Sequence, residues 1–237
     1  MQRHEFDDYI KDYRDHVSNV LAVSGETSEF FAHYKSKKLI EWLPWLTQKT
    51  YSILDYGCGD GVMTKHLSKL VPNSHHFGTD PSSKSIQEAQ KQFPLLSFAT
   101  ISDSRIPYED NTFDLIYAAG VFHHIPFEEH VLWRNEIFRV LKDGGSFVMF
   151  ELNPINPGTQ YVFRTSPIDK NAHMLYPRYA RSLLSPMGSC DLKYYCFFPG
   201  WLRKLRVFEP YITRVPLGGH YAVIITKPGA TSESSKA

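Results

Sequence analysis

Gly57, Gly59 and Gly61 alternate with other residues in a loop that also contains Asp55 and Asp60. Glycine adopts positive φ and has no Cβ, so such a loop folds tightly and leaves its backbone bare for a nucleoside ligand. The two carboxylates repel a pyrophosphate but attract a cationic or ammonium-bearing ligand. The loop therefore predicts a binding site for a positively charged cofactor, with the alternative that Asp55 pairs with the N-terminus of the following helix.

Two common phosphate-binding loops do not match this spacing. The dinucleotide fingerprint G-x-G-x-x-G requires a glycine where this chain has Val62, and the P-loop requires Gly-Lys-Ser/Thr at the start of the helix. A nicotinamide-dependent dehydrogenase is therefore disfavoured as a function.

Two adjacent histidines, His123 and His124, are the candidate catalytic residues, because histidine titrates near neutral pH. We expect one of them to act as a general base or to orient the acceptor, and the alternative is that the pair packs against or caps the following turn. Adjacent side chains point in different directions on a helix or a strand, and no cysteine or carboxylate cluster in the sequence completes four ligands. We therefore expect no metal.

The elements that would position these residues alternate between strands and helices along residues 50–150. An apolar strand at Ile53–Tyr56 enters the glycine loop, Val62–Leu70 reads as a helix, and His75–Asp80 reads as a strand that ends in a carboxylate about twenty residues later. Further strands are predicted within 95–101, 111–119 and 146–150, the last after a Gly-Gly turn.

In this order the segments resemble the class I S-adenosylmethionine-dependent methyltransferases of the small-molecule type. The resemblance implies an α/β fold with a doubly wound sheet of seven strands in the order 3-2-1-4-5-7-6, strand 7 antiparallel, and helices on both faces. It implies S-adenosylmethionine as cofactor and S-adenosylhomocysteine as product, with Asp80 on the ribose and Asp103 on the adenine. The implied cofactor-binding residues are Asp55, Gly57, Cys58, Gly59, Gly61, Asp80, Pro81, Asp103, Ser104 and Ala119.

Outside this core we expect an N-terminal helical cap or lid over residues 1–50, a methyltransferase domain over 51–227 with a substrate-side insertion at 151–190, and a flexible tail at 228–237. The Pro- and Gly-containing stretch 153–158 predicts a loop, and 192–198 and 220–226 predict the last two strands. Aromatic and cationic side chains of the cap and the insertion are the candidate substrate contacts, or else ordinary packing residues. They are Tyr13, Tyr34, Tyr161, Arg164, His173 and Tyr176.

The composition limits the classes of binding partner and the cell compartment that we expect for this chain. The 237-residue chain has a formal net charge of +1, which provides no electrostatic argument for nucleic acid, and its one basic cluster, 202–206, reads as a solvated helix face. No apolar run approaches the ~20 residues of a membrane span, and the start of the chain lacks the apolar region of a signal peptide. The three cysteines form no C-x-x-C pair. We therefore expect a cytoplasmic protein.

The predicted function is methyl transfer to a small organic or lipid-like acceptor, with O-methylation favoured and positioning as the main catalytic contribution. Two alternatives remain open. One is methylation of nitrogen or carbon, because the fold serves all of these nucleophiles. The other is a catalytically silent binding module that retains the cofactor site.

Overall fold

The computed structural model describes residues 25–166 and 169–229. Its strands are β1 (Ser52–Tyr56), β2 (His75–Asp80), β3 (Ser97–Thr100), β4 (Phe113–Ala119), β5 (Leu141–Leu152), β6 (Ser189–Tyr195) and β7 (His220–Thr226). Its α-helices are α1 (Ser28–Trp42), α2 (Val62–Leu70), α3 (Ser83–Gln92), α4 (His130–Val140), α5 (Pro157–Thr165) and α6 (Pro177–Leu184). The 3₁₀ segments are Pro44–Thr47, Phe122–His124, Phe127–Glu129, Ser185–Met187 and Gly200–Tyr211.

The strands form one seven-stranded sheet in the order β3-β2-β1-β4-β5-β7-β6. Strands β1 to β5 pair in parallel, and β7 lies antiparallel between β5 and β6. The predicted fold class, strand order and antiparallel seventh strand are therefore confirmed.

Both faces of the sheet are buried against helices. Successive side chains of each strand point to opposite faces, so one strand contributes to both clusters. In β4, Leu115 and Tyr117 pack in a cluster with Leu39 of α1 and Leu67 of α2. The alternate residues of β4 pack on the other face, in a cluster that includes side chains of α4 and α6. This two-sided burial explains why the central strands read as nearly continuous apolar runs.

The predicted loop at 153–158 is only partly correct, since α5 begins inside it at Pro157. Asn156 caps this helix through its Oδ1, which accepts a hydrogen bond from the Thr159 amide at 3.0 Å. Proline at the first helical position loses no hydrogen bond, because that amide has no partner within a helix. The turn between β5 and α5 is therefore short.

Strand β6 also differs from its prediction, because it ends at Tyr195 rather than near Phe198. The next residue, Cys196, has a φ of +60°, which takes the backbone out of the extended region. Strand β7 has the predicted bounds.

The parallel strands β1, β2, β4 and β5 end at the same edge of the sheet, where the order reverses between β1 and β4. In open α/β sheets, such a reversal leaves a crevice at the carboxyl ends of the strands. The part of the predicted lid before Gly25, which includes Tyr13, and most of the predicted tail lie outside the described residues. None of the described helices is long and apolar enough to cross a membrane.

Candidate active site

A cavity of about 510 Å³ opens at the carboxyl ends of β1, β4 and β5. Helix α1 covers one side of it with Ser28, Phe31, Ala32 and Lys35, which share a helix face because they are spaced by three or four residues. The acidic and basic side chains in its wall are five carboxylates, one lysine and three histidines: Glu29, Asp55, Asp60, Glu151, Asp169, Lys35, His123, His124 and His220. Its carboxylates therefore outnumber the lysine, which suits a cationic ligand.

The glycine loop forms the floor of this cavity, and its three glycines have φ values of +75°, +54° and +79°. A Cβ on Gly57 would lie 2.5 Å from Val121 Cγ2, and one on Gly61 would lie 2.7 Å from Phe98 Cζ. A Cβ on Gly59 would meet no atom within 4 Å. Packing thus explains Gly57 and Gly61, whereas Gly59 presents bare backbone to the open cavity.

Asp55 lies beneath the loop and is 2% exposed, and it accepts a hydrogen bond from Thr64 Oγ1 at 2.7 Å. Burial raises the pKa of Asp55 to about 7. Lys35 of α1 lines the same cavity, where desolvation lowers its pKa and the charges of Glu151 and Asp55 oppose that shift. The cavity wall thus contains a carboxyl group and an amine that interact electrostatically.

Asp80 ends β2 beside the loop and accepts hydrogen bonds from the Gly59 amide at 3.0 Å and the Ser82 amide at 2.9 Å. These bonds connect the end of β2 to the glycine loop and to the turn that precedes α3. Asp103 and Ser104 are exposed at the tip of a tight turn after β3, with φ of 51° and 54°. Pro81 is half-buried, and these four residues are not in the cavity wall.

The predicted binding residues Cys58 and Ala119 do line the cavity. The Gly57 and Cys58 amides both donate to the Thr79 carbonyl, at 2.7 and 2.9 Å, which ties the loop to β2. Ala119 is the last residue of β4. The structure therefore places the predicted cofactor residues in two groups, one in the cavity wall and one beyond it toward β2 and β3.

His123 lies in the 3₁₀ turn after β4 and is held by Glu151 near the end of β5. Its Nδ1 donates to Glu151 Oε2 at 2.6 Å, and Glu151 Oε1 accepts from the Phe122 amide at 2.9 Å. On the opposite side of the ring, Nε2 is 3.5 Å from Asp169 Oδ1. Burial lowers the pKa of His123, but the two carboxylates outweigh it and raise the pKa to about 9.

His124 lies against His123, with the ring centroids 4.2 Å apart, and its Nε2 is 3.6 Å from Asp169 Oδ1. Burial and the neighbouring charge on His123 lower the pKa of His124. Both Nε2 atoms approach the same oxygen, Asp169 Oδ1, so the expectation that adjacent histidines diverge is wrong for this pair. One ligand atom from each histidine and one from Asp169 lie within 4.8 Å of one another.

The described candidate substrate residues lie outside the cavity wall. Tyr34 donates a hydrogen bond to Glu209 Oε2 and stacks on Phe30 with centroids 5.5 Å apart. The other four, Tyr161, Arg164, His173 and Tyr176, are exposed.

Sequence reasoning did not single out Lys35, Glu151, Asp169 or His220, all of which line the cavity. A signal was present for Glu151, because it lies near the carboxyl end of a predicted parallel strand, where functional residues concentrate. Asp169 and Lys35 carry no comparable local signal.

Comparison with known proteins agrees with this geometry. Residues 53–145 match the family of methyltransferase domains. The ubiquinone/menaquinone biosynthesis C-methyltransferase of Desulfotalea psychrophila is 26% identical over 150 residues, 62% of this chain and 56% of that protein. The demethylmenaquinone methyltransferase of Lactococcus lactis is 31% identical over 162 residues, 65% of this chain and 57% of that protein.

The chain spans about half the length of these curated relatives. Among solved structures, a SAM-dependent methyltransferase from Archaeoglobus fulgidus superposes with a TM-score of 0.62 at 17% identity, over 83% of this chain and 94% of that one. The glycine loop, the strand order and the matched family agree. Residues 53–145 therefore match a methyltransferase domain, the chain has the fold of the S-adenosylmethionine-dependent methyltransferases, and S-adenosylmethionine is the cofactor that these similarities imply.

Proposed function

We propose that this chain transfers the methyl group of S-adenosylmethionine to a hydroxyl oxygen of a small or lipid-like acceptor. One observation carries the proposal: the bare backbone of Gly59 and the ring of His123 line the same cavity, and Glu151 orients that ring through a hydrogen bond to Nδ1. A cofactor-binding loop and a titratable group thus border the same space, as transfer between two bound molecules requires.

The residues present fit the cofactor. The open face of Gly59 leaves room for a ligand against the backbone, and the excess of carboxylates in the wall suits a sulfonium cation. When bound, the cofactor supplies an electrophilic methyl group. We assign Asp55 to its ammonium group and Lys35 to its carboxylate, because these opposite charges line one cavity.

We assign the remaining cofactor contacts from the resemblance and from position. Asp80 would accept hydrogen bonds from the ribose hydroxyls, with Pro81 beside it, and the exposed turn of Asp103 and Ser104 would hold the adenine. The Ile101 amide donates to the Asp80 carbonyl at 3.0 Å, so this turn starts beside the end of β2. Cys58 and Ala119 border the methionine half.

His123 acts as the general base in this proposal. Nδ1 is committed to Glu151, so Nε2 is the atom that would take the hydroxyl proton when the bound cofactor gives up its methyl group to the acceptor oxygen and leaves as S-adenosylhomocysteine. Glu151 and Asp169 stabilise the imidazolium that results. In-line positioning supplies on the order of 7–11 kcal/mol in favourable cases, and a base adds roughly 10²–10⁴ in rate.

A second candidate is methylation at carbon, because one relative is named a ubiquinone/menaquinone biosynthesis C-methyltransferase and the other a demethylmenaquinone methyltransferase. The two candidates differ in their product. An acceptor methylated by the purified protein shows an O-methyl or a C-methyl resonance by NMR, and a C-methyl product would replace the first proposal with the second.

Calorimetric titration with S-adenosylhomocysteine tests the cofactor assignments. We expect micromolar binding by the wild type that weakens sharply in Asp80→Ala and Asp103→Ala and is unchanged in Asp191→Ala, a control on the edge strand. The Asp103 variant is needed because Asp80 also supports the loop. Lack of binding by the folded wild type would contradict the assignment.

The chemical step is tested with radiolabelled cofactor and a panel of hydroxylated acceptors at saturating cofactor. His123→Gln should lose turnover by about 10²-fold or more, while the exposed control His75→Gln should not. Binding of S-adenosylhomocysteine without methyl transfer to any acceptor would favour a catalytically silent binding module.

A further inference from the structure

A second surface, away from the cavity wall, exposes large apolar side chains. It comprises the 3₁₀ segment Gly200–Tyr211 and the turn that follows it, and we refer to it as the 201–217 surface. Its most exposed apolar side chains are Trp201 (77%), Val207 (67%), Phe208 (55%), Tyr211 (85%) and Leu217 (60%). Single exposed apolar residues are ordinary, but five within seventeen residues of chain need an explanation.

Two anchors, the partly buried Arg206 and the buried Glu209, fix the orientation of this segment. The Arg206 guanidinium donates to Glu26 Oε1 at 2.7 Å and lies 4.7 Å from the centroid of the Phe30 ring. Glu209 is 1% exposed and accepts hydrogen bonds from the Phe197 amide at 2.9 Å and from the Tyr34 hydroxyl. These contacts hold the 3₁₀ segment firmly against the start and first turns of α1.

A 3₁₀ helix has three residues per turn, so side chains three apart lie in one row. Arg206 and Glu209 form the row that faces the protein. Leu205, Phe208 and Tyr211 form a second row that is exposed to solvent. The backbone conformation that turns Arg206 and Glu209 toward the protein therefore turns Leu205, Phe208 and Tyr211 toward solvent.

The exposed charges on this surface are positive. Arg203, Lys204 and Arg214 are exposed, and Glu209, the one acidic residue among residues 200–217, is buried. Aromatic and aliphatic side chains mixed with lysine and arginine are typical of segments that lie in the interface of a bilayer. Anionic headgroups attract such cations, while the aromatic rings enter the headgroup region.

We infer that the 201–217 surface docks this chain on the surface of an anionic lipid bilayer, with Trp201, Phe208 and Tyr211 in the headgroup region and the three cations against the phosphates. The 201–217 surface lies on the bilayer and does not span it. The start of α1, which the surface contacts through Phe30, also borders the cavity through Ser28 and Phe31. Docking therefore places the bilayer beside one wall of the cavity.

The full chain is mixed with vesicles of pure phosphatidylcholine and with vesicles that contain a quarter phosphatidylglycerol, and co-sedimentation gives the partition coefficient. We expect binding to the anionic vesicles alone, weakened by salt, with a blue shift of tryptophan emission. The double variant R203Q/K204Q should lower the partition coefficient about twenty-fivefold, because each cation near such a surface contributes about fivefold. Trp201→Ala should weaken binding and remove most of the emission shift.

Two controls match these variants. K69Q/K91Q removes two exposed lysines elsewhere, and Leu95→Ala truncates a side chain that is 97% exposed on another turn. Both should bind vesicles as the wild type does, and every variant should bind S-adenosylhomocysteine equally. Equal partition of wild type and R203Q/K204Q, or no wild-type binding to anionic vesicles, would overturn the inference. A wild-type dimer in light scattering that Trp201→Ala converts to a monomer would also overturn it, because a second copy would then be the occupant.

Discussion

Replacing Glu151 by glutamine tests the electrostatics of the site without requiring the acceptor. Glutamine preserves the shape of the side chain, so an oxygen can still accept from the Phe122 amide, but the negative charge beside His123 Nδ1 is lost. Burial then lowers the pKa of His123, with Asp169 alone opposing it. We expect the pKa of His123 to fall from about 9 to near or below its ordinary value of 6.5.

The size of the effect follows from that shift. A rise from 6.5 to about 9 favours the charged form of His123 in the folded state by about 3 kcal/mol. A folded pKa raised above the unfolded value contributes stability that is fully present below pH 6.5 and is lost as the pH rises through about 9. The free energy of unfolding of the wild type should therefore exceed that of E151Q by about 3 kcal/mol more at pH 6 than at pH 10.

Urea unfolding of both proteins between pH 6 and pH 10, followed by circular dichroism, measures this difference. Other titrating groups, including Lys35 and Asp55, contribute to both proteins, so the comparison removes most of their effect. Glu128→Gln, an exposed glutamate in the same region, should differ from the wild type by a constant amount at every pH.

A difference between the wild type and E151Q that stays constant across this pH range would refute the reasoning, because it would mean that Glu151 does not raise the pKa of His123. The same pair predicts the pH dependence of turnover. If His123 is the base, kcat/KM of the wild type rises with pH up to about 9, and in E151Q the rise ends at lower pH.

Three further outcomes follow from the glycine loop and the lysine. Gly59→Ala and Gly144→Ala place alanine at φ of +54° and +77° with no neighbour within 4 Å. Each should therefore lower the free energy of unfolding by about 1–2 kcal/mol. Only Gly59→Ala should weaken S-adenosylhomocysteine binding in calorimetry. Gly57→Ala adds a clash with Val121 and should lower the free energy of unfolding by about 2–4 kcal/mol in urea titrations. Lys35→Met should weaken S-adenosylhomocysteine binding about tenfold, as loss of one charge-assisted hydrogen bond would. It should not lower the melting temperature, because it removes a desolvated amine. Unchanged affinity would exclude Lys35 from the site.

Much of the fold could be predicted because its signals are local. The bounds of β2, α2 and β7 follow from short apolar patterns and from turn residues beside them. The errors occurred where one side chain decides the backbone: Asn156 starts a helix inside an expected loop, and Cys196 ends a strand early. Capping and positive φ depend on individual hydrogen bonds and steric contacts, which periodicity does not report.

The candidate substrate residues illustrate a second limit. Tyr34 is on the helix expected to cover the cavity, yet its hydroxyl is bound to Glu209, 175 residues later in the chain. The face of α1 that lines the cavity presents Phe31 and Lys35 instead. Which face of a helix turns inward depends on what packs against it, and α1 packs against segments that are distant in sequence.

The sequence by itself determined the strand, glycine loop and helix of the proposed cofactor site, because the spacing of glycines and carboxylates within a few residues sets both the exposed backbone and the charge of the loop. It also located the histidine pair. Only the tertiary structure decided the chemistry of that pair, since Glu151 is 28 residues from His123 and Asp169 comes from the segment after α5. A pKa depends on charges a few ångströms away in space, and the folded chain brings those charges from elements that no local pattern connects.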